Sequence, residues 1–237
     1  MNTEKAELFT PAPEWSGRSD GPGPEHARWH SVINQSTDSP APITLLGFAS
    51  DEGVLRNGGR QGAAAGPAAL RSALGSLAVH HKHALADAGT ITTQADDLDG
   101  AHDALSDKVQ KLVEAGTLPI ILGGGHETAF GSHRGLYRAV GATKIVNLDA
   151  HFDLRRADQA TSGTPFKQIS ELTDDFDYTV LGISRPNNTA VLFDEAESLG
   201  VAITLDEELV NLSPAECGEL AARATEGKDK VHLSIDL

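Results

Sequence analysis

From Ile43 onward the chain alternates short apolar runs with longer stretches of helical period. The runs ITLLGFA (43–49), HALADAG (83–89), TLPIILGG (117–124), KIVNLDAH (144–151), DYTVLGIS (177–184), VAITL (201–205) and KVHLSID (230–236) have the length and the Ile, Leu and Val content of buried strands. Between them, residues 66–77, 98–115, 127–139, 188–199 and 213–225 carry apolar positions at helical spacing, and the stretch after 144–151, to about residue 176, reads as irregular. Such alternation predicts one doubly wound α/β domain, a parallel sheet with helices on both faces. Ser213 before Pro214 reads as an N-cap with proline at the first helical position, and Asn188 or Thr189 is placed to cap the preceding helix. Before residue 43, Pro11, Pro13, Pro22, Pro24, Pro40 and Pro42 leave no room for a helix or a central strand. The chain therefore divides into an irregular arm, 1–42, that wraps or frays, and an α/β domain, 43–237.

Composition narrows the partners. Lys and Arg number 19 against 34 Asp and Glu, a formal charge of −15 over 237 residues. A field of that sign repels phosphate backbones and anionic lipid, so no nucleic acid and no membrane surface is expected as a partner. A small molecule or further copies of the chain are. Cys217 is the only cysteine, which excludes an intrachain disulfide and a cysteine-based zinc site and fits a reducing cytoplasm. No apolar run approaches the roughly eighteen residues of a membrane span, and Glu4, Glu7, Glu14 and Asp20 replace the basic start of an export signal.

In an open parallel sheet, ligands bind outside the carboxyl ends of the strands. Strand 117–124 runs into GGGHE, which brings His126; strand 144–148 runs into DAHFD, which brings Asp149, His151 and Asp153; strand 230–235 runs into Asp236. In extended backbone a period of two sends Asp149, His151 and Asp153 to one side. Burying such a set without a cation would cost several kcal/mol per charge, on the order expected for unpaired buried ions. Three carboxylates and two imidazoles with no sulfur suit Mn²⁺ better than structural zinc. Bridging carboxylates would allow two ions about 3.5–4 Å apart, which can lower the pKa of a shared water and present hydroxide to an electrophilic carbon. The run His80, His81, His83 has no partners in this scheme and reads as solvent-facing.

The segments GGGHE (123–127), NLDAHFDLR (147–155), SGTPF (162–166) and SID (234–236) resemble the ureohydrolases, the group of arginase, agmatinase and formimidoylglutamase, over nearly the whole chain. The resemblance implies an arginase-like three-layer αβα sandwich with a mostly parallel sheet. It also implies a binuclear Mn²⁺ centre, with His126, Asp149, Asp153 and Asp236 on one ion and Asp149, His151 and Asp236 contributing to the other, and no catalytic side chain beyond the ligands of the activated water. Arginases carry SGNxHG where this chain reads SGTPF. HFDLR with SGTPF, WSGRSD (15–20), ARWH (27–30) and GVLRNGGRQGAAAGP (53–67) instead resemble formimidoylglutamase. The implied reaction is N-formimido-L-glutamate plus water giving L-glutamate and formamide, a step of histidine breakdown. The alternatives are another ureohydrolase, acting on agmatine or guanidinobutyrate, and a non-catalytic truncated relative. Homo-oligomers are common in the group.

A substrate with two carboxylates calls for arginine near the ions, because guanidinium recognises carboxylate through two parallel hydrogen bonds. Arg155, with Ser162 and Thr164, is the candidate substrate-binding set; a salt bridge from Arg155 to a neighbouring acid is the other reading, and Arg56 and Arg60 read as structural. Ureohydrolases continue past the last motif as SxDxDxxDP, whereas this sequence stops one residue before the second aspartate. The domain is therefore expected to be incomplete at its C-terminal end, with strands 117–124 and 230–236 facing an unfilled gap. The chain as written is expected to be poorly soluble or loosely folded, to hold fewer than two ions, and to have little activity.

Overall fold

The computed structural model describes residues 8–35, 41–80 and 83–237. Its strands are β1 (Phe9–Thr10), β2 (Ile43–Ala49), β3 (Leu85–Thr92), β4 (Leu118–Leu122), β5 (Lys144–Leu148), β6 (Asp177–Ile183), β7 (Ala202–Leu205) and β8 (Val231–Ile235). The helices are α1 (Trp29–Val32), α2 (Glu52–Arg56), α3 (Gly66–Gly75), α4 (Leu98–Glu114), α5 (Thr128–Val140), α6 (Pro165–Ser170), α7 (Ala190–Ser198), α8 (Asp206–Leu209) and α9 (Pro214–Ala224), with single 3-10 turns at Pro24–His26, Ala63–Ala65 and Arg185–Asn187. The irregular stretch of the sequence reading thus contains one short helix, α6. Ser213 caps α9, its hydroxyl accepting from the Glu216 amide. Neither candidate caps α7 with its side chain: Asn188 instead donates to the carbonyls of Ala150 and Ser184.

The strands form two blocks of four rather than one sheet: β1-β3-β2-β4, parallel except for β1, and the all-parallel β7-β6-β5-β8. Inner strands β2 and β6 are buried on both faces, which is why their sequences read as unbroken apolar runs. Among the described residues β4 and β8 are edge strands, paired only with β2 and β5 respectively. The apolar positions Leu118, Ile120, Val231, Leu233 and Ile235 on them are exposed, so among the described residues these edges carry the exposed backbone and apolar surface that sheets usually cover. One side-chain contact bridges the blocks at their C-terminal end, His126 Nε2 lying 2.8 Å from Ser234 Oγ, and near the start of β8 the His232 ring meets the His133 ring of α5 edge to face at 5.1 Å.

The arm wraps. Trp15 is buried, stacks on Trp29 with ring centres 6.4 Å apart, and donates from Nε1 to Asp87 at 2.8 Å. Arg71 grips the same carboxylate with two bonds of 2.7 and 2.8 Å. The WSGRSD and ARWH segments thus contribute packing to the first block. His80 and His83 are exposed, as expected, and His81 lies outside the described residues.

His102 sits on α4, stacked on Phe48 and edge-on to Phe130, and Nε2 lies 2.9 Å from the carbonyl of Glu127. Burial, aided by the charge of Arg134, pushes its pKa down to about 4 from an ordinary 6.5. The unfolded chain therefore binds a proton that the native chain refuses between those values. Stability from this residue is complete above pH 6.5 and is lost as the pH falls toward 4, by about 3 kcal/mol. A His102→Gln variant, which keeps a donor for the Glu127 carbonyl, should flatten this part of the curve of denaturation midpoint against pH; an unchanged curve would contradict the assignment.

Candidate metal centre

Three loops meet at the carboxyl ends of β4, β5 and β8. The loop after β4 is glycine-rich because the β2–α2 turn passes against it: a Cβ on Gly124 would lie 2.3 Å from the Ser50 carbonyl oxygen. His126 is thereby carried to Asp149 and Asp153, with Nδ1 3.1 Å from Asp149 Oδ2, 2.8 Å from Asp153 Oδ2 and 3.9 Å from Asp236 Oδ2. Two sets of ligand atoms gather: His126, Asp149 and Asp153 form one, and Asp149, His151 and Asp236 form the other. Asp149 belongs to both. All five residues singled out in the sequence are thus brought together, but not by an extended strand. β5 ends at Leu148, the Asp149 carboxylate accepts from the His151 amide at 2.8 Å, and Asp153 turns the chain with φ of +49°. Asparagine and aspartate tolerate that left-handed region better than other residues with a side chain.

The electrostatics of the cluster call for a cation. Nδ1 of His126 is buried and close to two carboxylate oxygens, yet neither oxygen is aligned to accept its proton. Burial works against a charged imidazole here, but the proximity and charge of Asp149 and Asp153 prevail and raise its pKa to about 10. Burial raises Asp153, whereas at Asp149 the same burial is outweighed by His126 and the carboxyl is lowered. A buried site that retains a proton on histidine at such a pH has an excess of negative charge, and a divalent ion is the species that nitrogen and oxygen donors of this kind accept. The ring is also prepared: Nε2 faces Ser234 Oγ, leaving Nδ1 as the free donor, and the Phe166 ring stands edge-on at 5.5 Å.

Polar residues whose contacts the sequence reading did not show brace these candidate ligands. Asn147 donates to Asp149 Oδ2 at 3.1 Å and lies 3.2 Å from the Tyr178 hydroxyl, which itself donates to the Phe152 carbonyl. Asn188 accepts from the Phe152 amide. Asn147 stood inside a quoted motif, but only the fold reveals its partner.

A cavity of about 310 Å³ opens over the cluster, and Asn57, Arg155 and Ser162 line it beside His126, His151, Asp153 and Asp236. Arg155 has no carboxylate within ion-pair distance among the described residues; Nη1 reaches only Asn57 Oδ1, at 3.4 Å, and Asn57 donates to Ser162 Oγ at 3.1 Å. Thr164 does not line the cavity. It is buried, and its hydroxyl is engaged by Thr161 and Gln168 in the turn before α6. Arg56 is structural, tied to Glu52 and the Ala160 carbonyl, and Arg60 is exposed.

This architecture and its acidic, histidine-bearing strand ends define a class. A model of the arginase family matches residues 41–237, and the chain belongs to that family. It is 48% identical over 228 residues to the formimidoylglutamase of Corynebacterium efficiens, covering 94% of this chain and 72% of that one, and 47% identical over 236 residues to that of Citrobacter koseri, covering 94% and 74%. Among solved structures it is similar to Trypanosoma cruzi formiminoglutamase with Mn²⁺, with a TM-score of 0.78, 29% identity and coverage of 89% and 74%. The formimidoylglutamase of Bacillus subtilis, at 20% identity, a TM-score of 0.76 and coverage of 89% and 70%, shares the fold. No helix among the described residues is long and apolar enough to cross a membrane.

Proposed function

We propose that the chain is a manganese-dependent formimidoylglutamase, hydrolysing N-formimido-L-glutamate to L-glutamate and formamide in histidine breakdown. The observation that carries this reading is Arg155, an arginine without an acidic partner among the described residues, in the wall of a cavity floored by the two candidate ligand sets. His126, Asp149 and Asp153 would hold one Mn²⁺ ion, and Asp149, His151 and Asp236 the second. When bound, the ions supply activation of water for attack on the formimino carbon. Arg155 and Ser162 orient a substrate carboxylate over the cluster, and the β4–α5 and β5–α6 loops hold the ligand carboxylates together against their repulsion. Cleavage of the C–N bond leaves the nitrogen with glutamate and the formyl carbon in formamide. The free, exposed Cys217 suits a reducing cytoplasm, and the same reading includes a homo-oligomer.

Release of formamide from N-formimido-L-glutamate and of urea from agmatine and guanidinobutyrate should be compared in manganese-loaded protein, with light scattering reporting the assembly. Both ligand sets are assembled in this chain, so turnover of the first substrate alone is expected, in place of the little activity read from the sequence. Equal or greater turnover of a guanidino substrate would refute the assignment.

A further inference from the structure

Glu127 follows a candidate ligand, yet its side chain turns away from the ligand cluster. It is fully buried and no Lys, Arg or His side chain forms an ion pair with it among the described residues. Keeping a carboxyl in such a place is costly unless its contacts have a use. Oε1 accepts from the Ser50 hydroxyl at 3.1 Å and from the Gly53 amide at 3.0 Å. The chain makes room for it with two glycines: a Cβ on Gly53 would stand 2.4 Å from Glu127 Cδ, and one on Gly125 would stand 2.1 Å from Oε2.

From Gly53 the connection continues to the substrate side of the cavity. The Gly53 carbonyl accepts from the Ser162 amide at 3.0 Å, and Asn57 on the same segment donates to the Ser162 hydroxyl. The Gly125 amide donates back to the Ser50 carbonyl at 3.1 Å. One carboxyl therefore joins the loop that carries His126 to the segment that carries Val54, Asn57 and, through its carbonyl, Ser162, all of which line the cavity.

We propose that Glu127 is a positioning residue that sets the substrate-side wall, residues 50–57 with Ser162, at a fixed distance from His126. The proposal rests on the hydrolase reading for its substrate but not for its geometry. Ser50→Ala removes one donor to Glu127, and Gly53→Ala places a methyl group where the carboxyl lies. In manganese-loaded full chain, each should raise KM for N-formimido-L-glutamate by about tenfold, the scale of one lost hydrogen bond to a charged group, with kcat changed by less than about threefold. Manganese content should match the parent's. Amide hydrogen exchange should quicken across 51–58 and 162–164 and stay unchanged in β5. Glu127→Gln, which keeps the Oε1 acceptor, should lie nearer the parent than Glu127→Ala in both measurements.

Unchanged exchange across 51–58 and 162–164 in Ser50→Ala and Gly53→Ala overturns the proposal, as does a loss of manganese with KM unaltered, which would reduce Glu127 to a support of the ligand loop. If the parent chain releases no formamide, the hydrolase reading fails by itself. The exchange pattern still decides the positioning role, quickened exchange upholding it and unchanged exchange ending it.

Discussion

Asp149→Ala should abolish hydrolysis and strip most of the bound manganese. Asp149 is the one residue in both ligand sets, with Oδ2 toward His126 and Oδ1 toward His151. Its removal would take a negative charge from both candidate ion positions, at a site where burial already makes uncompensated charge costly. Loss of a residue that merely orients a ligand typically costs about 10–100-fold in metal affinity, so loss of the shared ligand should exceed that range. Asn147→Ala supplies the comparison. It leaves every ligand in place but removes the donor to Asp149 Oδ2, and it should fall within the 10–100-fold range. Elemental analysis of dialysed protein measures both. Unchanged ion content in Asp149→Ala and Asp153→Ala together would refute the site.

The sequence made the candidate ligand cluster legible because four of its five members sit in short segments next to apolar strands: His126 after GGG, and Asp149, His151 and Asp153 within five residues. Its geometric argument was wrong in one respect. An extended backbone would have spread the DxHxD side chains along a line, whereas the positive φ of Asp153 and the Asp149–His151 turn gather Asp149 and Asp153 around His126. Strand periodicity cannot register a single left-handed residue. Nor could local pattern show that the strands form two blocks, since each run is apolar whether its neighbour is present or not. The contacts of Glu127 and Asn57, which stand inside quoted segments, and of Asn188, read as a helix cap, were hidden for a related reason. Their partners lie 74, 105 and 36 residues away, so nothing near them in the sequence distinguishes them from solvated polar positions. Thr164 shows the converse: a hydroxyl beside the right motif, committed by the turn to its own backbone.

Arg155→Ala should raise KM for N-formimido-L-glutamate by about 10–100-fold while leaving manganese content unchanged, the scale set by losing a charge-assisted contact of roughly 1.5–3 kcal/mol. Among the described residues the guanidinium has no acidic partner to release and only a long contact with Asn57, so its hydrogen-bonding capacity is available to a carboxylate in the cavity. Arg155→Lys tests whether charge or shape matters. An ammonium keeps the charge but cannot make two parallel bonds, so it should recover only part of the loss. The carbonyl of Gly163 accepts from the backbone amide of Arg155, which ties that backbone in place whatever the side chain and keeps the ligand loop intact in both variants. Steady-state kinetics with metal analysis on the same samples separates the outcomes. Unchanged KM in Arg155→Ala would remove the residue from the substrate site, and a parallel loss of manganese would mean that it serves the ligand loop instead.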